Sequence, residues 1–262
     1  HPSIVFWGMW NELDTWGNQD KLQGPLYCEK VSEETKNCYD AIRGVDGQRP
    51  IGVTDCSVFR NPNYKDLKAN FYSENRYHGW YDSQGTKEGF LRFTDDMTEI
   101  RDSVRSHIVN ASEYGAGINP FCHTADTVAM MLRDDDTKHY EEYGNLIHES
   151  HWQQICRMPW LNFTAAWVMF DFPVANRQEG FMDSDDGVNF TANEYRKYTN
   201  DKGLVTRNRQ IKKDVFYLYK SAWNKQETTV HITSKRLLRW HKHQPVTVKV
   251  YSNAQWLSLY QN

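Results

Sequence analysis

The amino-acid sequence predicts an α/β fold, the C-terminal portion of a parallel (β/α)8 barrel, followed by the start of an all-β sandwich. Up to about residue 224, strand-length apolar runs alternate with segments whose apolar residues recur at helical spacing. That alternation is typical of a parallel sheet covered by helices. From Thr228 onward, segments alternate apolar and polar residues with no helical segment between them, which favours antiparallel strands. We therefore predict two domains, 1–224 and 225–262.

Five apolar runs before residue 224 are predicted to be buried parallel strands. The first, Ile4 to Trp10, is almost unbroken and ends abruptly at Asn11-Glu12. A continuous apolar run of this length favours a strand that is covered on both faces. The other four predicted strands lie at residues 49–54, 70–73, 107–112 and 164–171. A closed barrel of this kind has eight strands, so about three more are expected upstream of His1.

Between these runs, apolar residues recur every three or four positions and predict amphipathic helices. Met97, Ile100 and Val104, for example, fall on one helical face with charged residues around them. The predicted helices lie near residues 27–42, 97–104, 143–157 and 211–222. The antiparallel strands predicted after the domain boundary lie at residues 228–233, 246–250 and 256–260.

The overall composition excludes several classes of protein. The chain has 31 Lys and Arg against 34 Asp and Glu, a net charge of −3, so no basic surface for nucleic acid or an anionic membrane is indicated. No run reaches the ~18 apolar residues that a membrane-spanning helix needs. The ten Trp, fifteen Tyr and twelve Phe fit either a core of bulky side chains or platforms that bind sugars. Their positions must decide between the two.

No metal site is predicted from the residues themselves. The five Cys are scattered without zinc-type spacing, and we interpret them as free, mostly buried thiols. Asp134-Asp-Asp136 lacks the Gly and the terminal Glu of a calcium-binding EF-hand loop. A solvated acidic turn is the preferred interpretation of that segment.

Two of the predicted strands end in a glutamate, Glu12 in the first and Glu113 in the fourth. Parallel barrels carry their catalytic groups at the C-terminal ends of strands, so both carboxylates are expected at the barrel mouth. Two carboxylates across a sugar ring supply the acid and the base or nucleophile that glycoside hydrolysis requires. By spacing alone this is one pairing among many acidic residues. The alternative is that Glu12 merely ends a strand and faces solvent.

Motifs surround both glutamates and continue in order along residues 1–224. His1-Pro-Ser-Ile-Val-Phe-Trp-Gly-Met-Trp-Asn-Glu12 resembles the acid/base motif of glycoside hydrolase family 2, and Ser112-Glu-Tyr-Gly-Ala-Gly117 resembles its nucleophile motif. Asn75-Arg-Tyr-His-Gly-Trp-Tyr81 is similar to the segment between them. Further matching segments begin at Trp167, Arg177, Asn200 and Lys213. The resemblance implies that the barrel is followed by an immunoglobulin-like sandwich, which would begin at residue 225.

The resemblance implies a retaining exo-β-galactosidase in which Glu12 is the general acid/base and Glu113 is the nucleophile. Asn11 would bind the 2-hydroxyl of the sugar, and Tyr77 would hold the Glu113 carboxylate through its hydroxyl. Trp167 would form the apolar floor beneath the sugar, with a plain barrel-core Trp as the alternative. The remaining substrate-binding residues that the resemblance implies are Asn75, His78, Trp80, Asp171, Arg177, Glu179, Asn200 and Lys202.

The resemblance leaves two sugars open. Arg177-Gln-Glu-Gly180 together with the run that begins at Asn200 most resembles β-galactosidases of gut bacteria. Asn200-x-Lys202 also has the spacing with which β-glucuronidases of the family hold the sugar carboxylate, for which a lysine supplies a point charge. If the substrate is a galactoside, Lys202 is expected to pair with Asp171 or Glu179. A sugar-binding module without turnover is the alternative from a different class, and the intact motifs argue against it.

The same resemblance implies a β-linked glycoside or oligosaccharide as the partner and leaves a homo-oligomer open. The composition, as above, predicts no nucleic-acid partner and no membrane span. The resemblance implies no organic cofactor. A divalent cation, if one is bound, would take its ligands largely from residues upstream of His1. A periplasmic or secreted bacterial location is the habit of the family.

Overall fold

The structure is a computed structural model that describes residues 1–13, 25–56, 67–104, 108–126, 130, 139–174, 199–237 and 247–260. The chain divides into two compact units. The first unit comprises His1–Tyr77, Leu91–Tyr114 and Gln153–Ala166. The second unit comprises His78–Phe90, Gly115–Trp152 and Trp167–Asn262.

A four-stranded parallel sheet forms the centre of the first unit. Its strands are β1 (Trp7–Asn11), β2 (Ile51–Asp55), β3 (Phe71–Asn75) and β4 (Ile108–Glu113). Every neighbouring pair is parallel, and the spatial order of the strands is the same as their order along the chain. An isolated parallel bridge between Ala111 and Thr164 adds a further segment beside β4. The predicted parallel α/β arrangement is present in this unit.

Helices lie between the strands in the sequence. They are α1 (Pro25–Val45), α2 (Lys87–Leu91) and α3 (Phe93–Ser103). On α3, Phe93 and Met97 are fully buried, which confirms the apolar face predicted for this segment. On α1, the Oγ1 atom of the buried Thr35 accepts a hydrogen bond from Nε1 of Trp10 at 3.1 Å. That bond joins the helix to the strand that leads into Glu12.

The strands of this sheet differ in burial. All residues of β3 are buried, and so are all residues of β2 except Thr54. β1 begins at Trp7 rather than Ile4, and its residues are exposed or only partly buried. The prediction of a first strand covered on both faces was therefore wrong. Among the described strands β1 lies at the edge of the sheet and pairs only with β2, so one of its sides is not covered by another strand.

The remaining elements are a helix, two short antiparallel pairs and a second helix. They are α4 (Glu141–Ile155), β5 (Phe172–Pro173), β6 (Thr199–Asn200), α5 (Asp214–Trp223), β7 (Val230–Ile232) and β8 (Val250–Ser252). β5 pairs with β6, and β7 pairs with β8. Nε2 of His231 lies 2.7 Å from Oδ1 of Asp214, so β7 is tied to the first turn of α5. The two helices predicted in this part of the chain are confirmed.

Two segments predicted as strands are not regular strands. Residues 164–171 make isolated bridges at Thr164 and Phe170. Val168 instead exchanges backbone hydrogen bonds with the loop that contains Lys202 and Leu204, so this apolar run is extended but irregular. Residues 256–260 have no paired strand among the described residues and are exposed. The strand predicted at 246–250 is β8 and begins only at Val250.

The state of the cysteines is partly as predicted. Cys38, Cys56, Cys122 and Cys156 are free thiols, but three of them are half-buried and Cys156 is exposed. The prediction that the thiols are mostly buried was therefore wrong for these four. Cys156 follows directly after the last residue of α4, where the chain turns towards solvent. The side chain of Cys28 lies outside the described residues.

Some predictions fall outside the part of the chain that the structure describes. These are the acidic turn Asp134-Asp-Asp136 and the two candidate pocket residues Arg177 and Glu179. The domain boundary near residue 224 stays a prediction, with α5 ending at Trp223. None of the described helices is both long and apolar enough to cross a lipid bilayer.

Candidate active site

Glu12 and Glu113 lie at the carboxyl ends of β1 and β4 in the first unit. Parallel strands present their carboxyl ends at the same edge of a sheet, which is where α/β enzymes place their chemistry. Each of the two strands has a shift in its pairing register just before the glutamate, between Gly8 and Asn11 in β1 and at Ser112 in β4. An extra residue of this kind changes the direction of the side chains next to it. Both glutamates therefore leave the sheet at positions where the regular alternation is broken.

The backbone of Glu12 is itself unusual. Its φ is +49°, in the left-handed region that residues with a side chain rarely adopt. Its N–H donates to the carbonyl of Thr54 at 3.0 Å, which holds this conformation against the neighbouring strand. Such conformations cluster at active sites, where the surrounding structure maintains them. The Glu12 side chain is half-buried, so it combines a fixed backbone with access from solvent.

Asn75, the last residue of β3, contacts the strand ends on both sides. Its Nδ2 atom donates to Oε1 of Glu12 at 2.7 Å and to Oδ1 of Asn11 at 3.1 Å. Its Oδ1 atom accepts a hydrogen bond from Oγ of Ser112 at 2.7 Å. Only 2% of Asn75 is exposed, so these bonds are shielded from water and the amide orientation is fixed. An amide N–H can donate to a carboxyl oxygen whether the acid is protonated or ionised.

Tyr77 performs the corresponding role for Glu113. Its hydroxyl donates to Oε2 of Glu113 at 2.6 Å, a contact that the family resemblance implies. In addition, the N–H of Arg76 donates to the backbone carbonyl of Glu113 at 2.8 Å. A short bond from a phenol to a carboxylate is strengthened by the negative charge of the acceptor. The two glutamates thus have different donors, an amide for Glu12 and a phenol for Glu113.

In the second unit, Lys202 is buried beside two aromatic rings. Only 2% of the residue is exposed, and its Nζ atom donates to the hydroxyl of Tyr81 at 2.7 Å. The ammonium lies 5.4 Å from the centroid of the Trp80 ring and 4.7 Å from that of the Tyr81 ring, within the range of cation–π attraction. Asn200 accepts a hydrogen bond from the N–H of Lys202 at 3.1 Å. The Asn200-x-Lys202 pair is therefore held as one turn with an inward-facing ammonium.

Asp171, one of the two carboxylates expected beside Lys202 if the substrate is a galactoside, binds another lysine, and the other, Glu179, lies outside the described residues. The Oδ1 atom of Asp171 lies 2.9 Å from Nζ of Lys213 and accepts the N–H of Gly203 at 2.7 Å. Nζ of Lys213 also donates to the carbonyls of Ile118 and Asp201, at 2.7 Å each. Burial raises the pKa of Asp171 to about 7, against the opposing effect of the Lys213 ammonium. The pair of Asp171 and Lys213 therefore joins the residues next to Lys202 to neighbouring segments of the second unit.

We expect replacement of Lys213 by methionine to lower the free energy of unfolding by about 3–5 kcal/mol, because one partner of a buried ion pair is removed. The loss should be smaller at pH 5 than at pH 8. Without the ammonium, the raised pKa of Asp171 rises further. Ionisation of a buried carboxyl group with a raised pKa destabilises the fold, and the folded protein loses stability as the pH increases towards that raised pKa. Chemical denaturation at both pH values measures the effect. Lys212→Met, at the exposed neighbouring lysine, is the control, and equal losses in the two variants would contradict the assignment.

The remaining predicted residues of the second unit are buried to different degrees. His78 is buried, and its Nδ1 atom lies 3.0 Å from Oδ2 of Asp82. Trp80 is completely buried and packs edge-on against the ring of His139 at 4.5 Å. Trp167 is half-buried, with its ring edge-on to that of Phe172 at 5.9 Å. Their roles towards a sugar stay predictions.

Sequence reasoning missed several residues that hold the predicted ones in place. Ser112, Tyr81 and Lys213 bind Asn75, Lys202 and Asp171 respectively. Each of the three lies in a segment that carries the family resemblance. The sequence therefore indicated that the segment matters, but it did not indicate which residue each of the three contacts. Among the described residues, no group of three or more His, Cys, Asp or Glu side chains is arranged to hold a metal ion.

Comparison with known proteins agrees with these motifs. No protein-family model matches the chain. A β-glucuronidase of Bacteroides fragilis is 33% identical over 267 aligned residues, which cover 100% of this chain and 32% of that protein. The predicted resemblance to glycoside hydrolase family 2 is confirmed. Two solved structures extend the match: a protein assigned as a β-galactosidase from Bacteroides fragilis, with a TM-score of 0.75, and an FMN-binding β-glucuronidase from Faecalibacterium prausnitzii, with a TM-score of 0.70.

These two structures are 25% and 27% identical to the chain, and each covers 97% of it. The matched regions are 32% and 34% of the two solved chains. The chain thus spans about a third of the length of the relatives it matches.

Proposed function

We propose that the chain carries the catalytic pair of a retaining exo-β-glycosidase, with Glu12 as general acid/base and Glu113 as nucleophile. The observation that supports this most is the contact of Asn75 and Tyr77, two residues apart, with the two glutamates at 2.7 and 2.6 Å. A single strand end thereby holds the two carboxyl groups in different hydrogen-bonding environments. That difference is what the division of roles in glycoside hydrolysis needs.

We also propose that the parallel sheet is part of a (β/α)8 barrel and that residues 225–262 begin an immunoglobulin-like sandwich. The spatial order of β1 to β4 follows the chain without reversal, and Thr164 continues it beside β4. Doubly wound sheets, by contrast, contain a point at which the order reverses. Antiparallel pairing of β7 with β8 supports the change of architecture after α5.

The reaction follows from the two environments. In the first step, Glu113 attacks the anomeric carbon while protonated Glu12 gives its proton to the leaving oxygen, which produces a glycosyl ester of Glu113 and a free aglycone. In the second step, Glu12 takes a proton from water, the water attacks the anomeric carbon, and Glu113 leaves as a carboxylate. Tyr77 stabilises that carboxylate before and after the ester exists. Asn11 would bind the sugar 2-hydroxyl.

We propose a β-glucuronide as the substrate, with the sugar carboxylate bound by Asn200 and Lys202. The relative named as a β-glucuronidase supports this choice. So does the buried ammonium of Lys202, which lies on the same turn as Asn200 and would supply the positive charge for a sugar carboxylate. A β-galactoside, which the sequence alone favours, is the second candidate, supported by the structural similarity to the protein assigned as a β-galactosidase.

Replacing Lys202 by alanine distinguishes a β-glucuronide from a β-galactoside as the substrate. If the substrate is a glucuronide, the variant loses a charge-assisted hydrogen bond worth roughly 1.5–3 kcal/mol, and kcat/KM should fall about ten- to hundredfold on p-nitrophenyl β-glucuronide. The rate on p-nitrophenyl β-galactoside should change much less. Both assays use the full-length protein. Lys220→Ala, which removes a lysine paired with Glu227 on the surface, is the control.

Three other outcomes decide against the glucuronide. Higher wild-type activity on the galactoside, with an equal loss on both sugars in Lys202→Ala, would select the β-galactosidase. Binding of either sugar without turnover would select a sugar-binding module. No activity and no binding on either sugar would overturn the proposed function altogether.

A further inference from the structure

Arg76 lies between Asn75 and Tyr77, the two residues that contact the glutamates, but its own side chain is turned to other groups. Only 7% of the residue is exposed. Its NH2 atom lies 2.5 Å from Oε2 of Glu74, and its Nε atom lies 2.7 Å from Oδ2 of Asp96 on α3. Three planar N–H-bearing nitrogens in one side chain allow such multiple contacts, which a lysine cannot reproduce.

The third nitrogen of the guanidinium fixes a further segment. The NH1 atom of Arg76 donates to the backbone carbonyl of Cys56, directly after β2. The side chain therefore joins its own strand to the neighbouring strand end and to α3. Glu74 and Asp96 are 0% and 2% exposed, so the guanidinium is the positive partner of two carboxylates shielded from water.

The position of Arg76 on the chain explains why the contacts of its guanidinium matter for Glu12 and Glu113. Side chains of an extended segment alternate between its two sides. Glu74 and Arg76 form the buried ion cluster on one side, and Asn75 and Tyr77 reach the glutamates on the other. β3 ends at Asn75, so beyond that point the regular ladder no longer fixes the backbone. The remaining constraints on this segment include the Arg76 side chain and its N–H bond to the carbonyl of Glu113 at 2.8 Å.

We propose that Arg76 is a positioning residue for the catalytic pair: its buried guanidinium holds the segment that sets the hydrogen bonds from Asn75 to Glu12 and from Tyr77 to Glu113. This inference rests on the proposed function and deepens it, since it names a residue that keeps Glu12 and Glu113 in their separate hydrogen-bonding environments. Displacement of reacting groups by about 1 Å can cost a hundredfold in rate. The expected effect of losing Arg76 is therefore on the chemical step rather than on substrate binding.

The test compares variants of the full-length protein. Arg76→Met alone removes the cation that lies beside two buried carboxylates, so it is combined with Glu74→Gln and Asp96→Asn to remove those charges as well. In this triple variant, kcat on the preferred aryl β-glycoside should fall about ten- to hundredfold while KM changes less than threefold. Arg76→Lys should also lose activity, because a lysine keeps the positive charge but not the planar set of N–H donors that contacts several groups at once. Arg101→Met, at a partly exposed arginine of α3, is the control.

A thermodynamic cycle distinguishes positioning from a general loss of structure. The triple variant is combined with Asn75→Ala and Tyr77→Phe, which remove the contacts through which Arg76 is proposed to act. If the proposal is correct, the loss caused by the triple substitution should shrink to about threefold or less in that background, since residues that act as a unit are not additive. Independent losses that multiply would overturn it, as would a folded triple variant with wild-type kcat.

Failure of the proposed function is recognised separately. If the wild-type protein turns over neither glycoside, the proposed function is wrong, and a crystal structure of the triple variant then decides about Arg76. Loss of the 2.6 Å contact between Tyr77 and Glu113 and of the 2.7 Å contact between Asn75 and Glu12 would support the positioning role. Retention of both distances would overturn it.

Discussion

Replacing Glu113 by glutamine is expected to lower kcat by roughly 10⁴- to 10⁶-fold, the range observed when the nucleophile or its activating partners are removed from a hydrolase that acts through a covalent intermediate. The amide is not a nucleophile towards the anomeric carbon, but its oxygen can still accept the hydrogen bond of Tyr77. The fold should therefore be retained, and the melting temperature should change little. Steady-state rates on aryl β-glycosides, with thermal unfolding alongside, measure both.

Glu33→Gln provides the comparison, because Glu33 is an exposed glutamate of α1 and the same substitution there removes the same charge. Its rates should equal those of the wild-type protein. A Glu113→Gln variant that keeps more than about a tenth of the wild-type kcat would exclude Glu113 as the nucleophile, since the chemistry would then need another carboxylate.

Replacing Glu12 by glutamine should give a loss that depends on the leaving group. Removal of a general acid typically costs 10²- to 10⁴-fold, and the full loss is expected for aglycones that need protonation to depart. A dinitrophenyl glycoside leaves without that proton, so the first step should be nearly unaffected and the ester on Glu113 should accumulate. A small nucleophile such as azide, which needs no general base, should then restore turnover and give a glycosyl azide.

An equal loss on all leaving groups, with no response to azide, would remove Glu12 from the acid/base role. The unusual backbone of Glu12, with φ +49°, makes this comparison informative, because glutamine is no better suited than glutamate to that conformation. A glycine at the same position would relax the strain and would not separate the two effects.

The parallel sheet and its strand-end glutamates were predictable because the signals are local. An apolar run that stops at Asn11-Glu12 marks a strand end from the residues themselves, and the same holds for Glu113. The bond from Tyr77 to Glu113 was expected from the family resemblance and is present at 2.6 Å. The bond from Ser112 to Asn75 was not predicted, since it depends on the register shift in β4, and the alternation of side chains cannot indicate where an extra residue is inserted.

The partner of Lys202 shows a second limit of sequence reasoning. The sequence predicts Asp171 or Glu179 as the acid beside Lys202 if the substrate is a galactoside, but nothing in the spacing of these residues states which lysine pairs with Asp171. In the structure Asp171 pairs with Lys213, and the ammonium of Lys202 donates to the hydroxyl of Tyr81. Similarly, the apolar run 164–171 predicts an extended segment, but hydrophobicity does not determine whether a neighbouring segment offers a regular ladder.

The most direct test of the retaining pair is to identify the residue that becomes glycosylated. The full-length protein is incubated with 2-deoxy-2-fluoro-β-glucuronyl fluoride or its galactosyl counterpart. The fluorine at position two slows both steps, while the fluoride leaving group at the anomeric carbon keeps the first step fast enough for the ester to accumulate. The labelled peptide is sequenced by mass spectrometry. We predict one sugar per chain, attached to Glu113 in the peptide that contains Ser112-Glu-Tyr-Gly115. Attachment to any other carboxylate, or complete turnover to a product of inverted configuration without a covalent adduct, would contradict the assignment of Glu113 and Glu12.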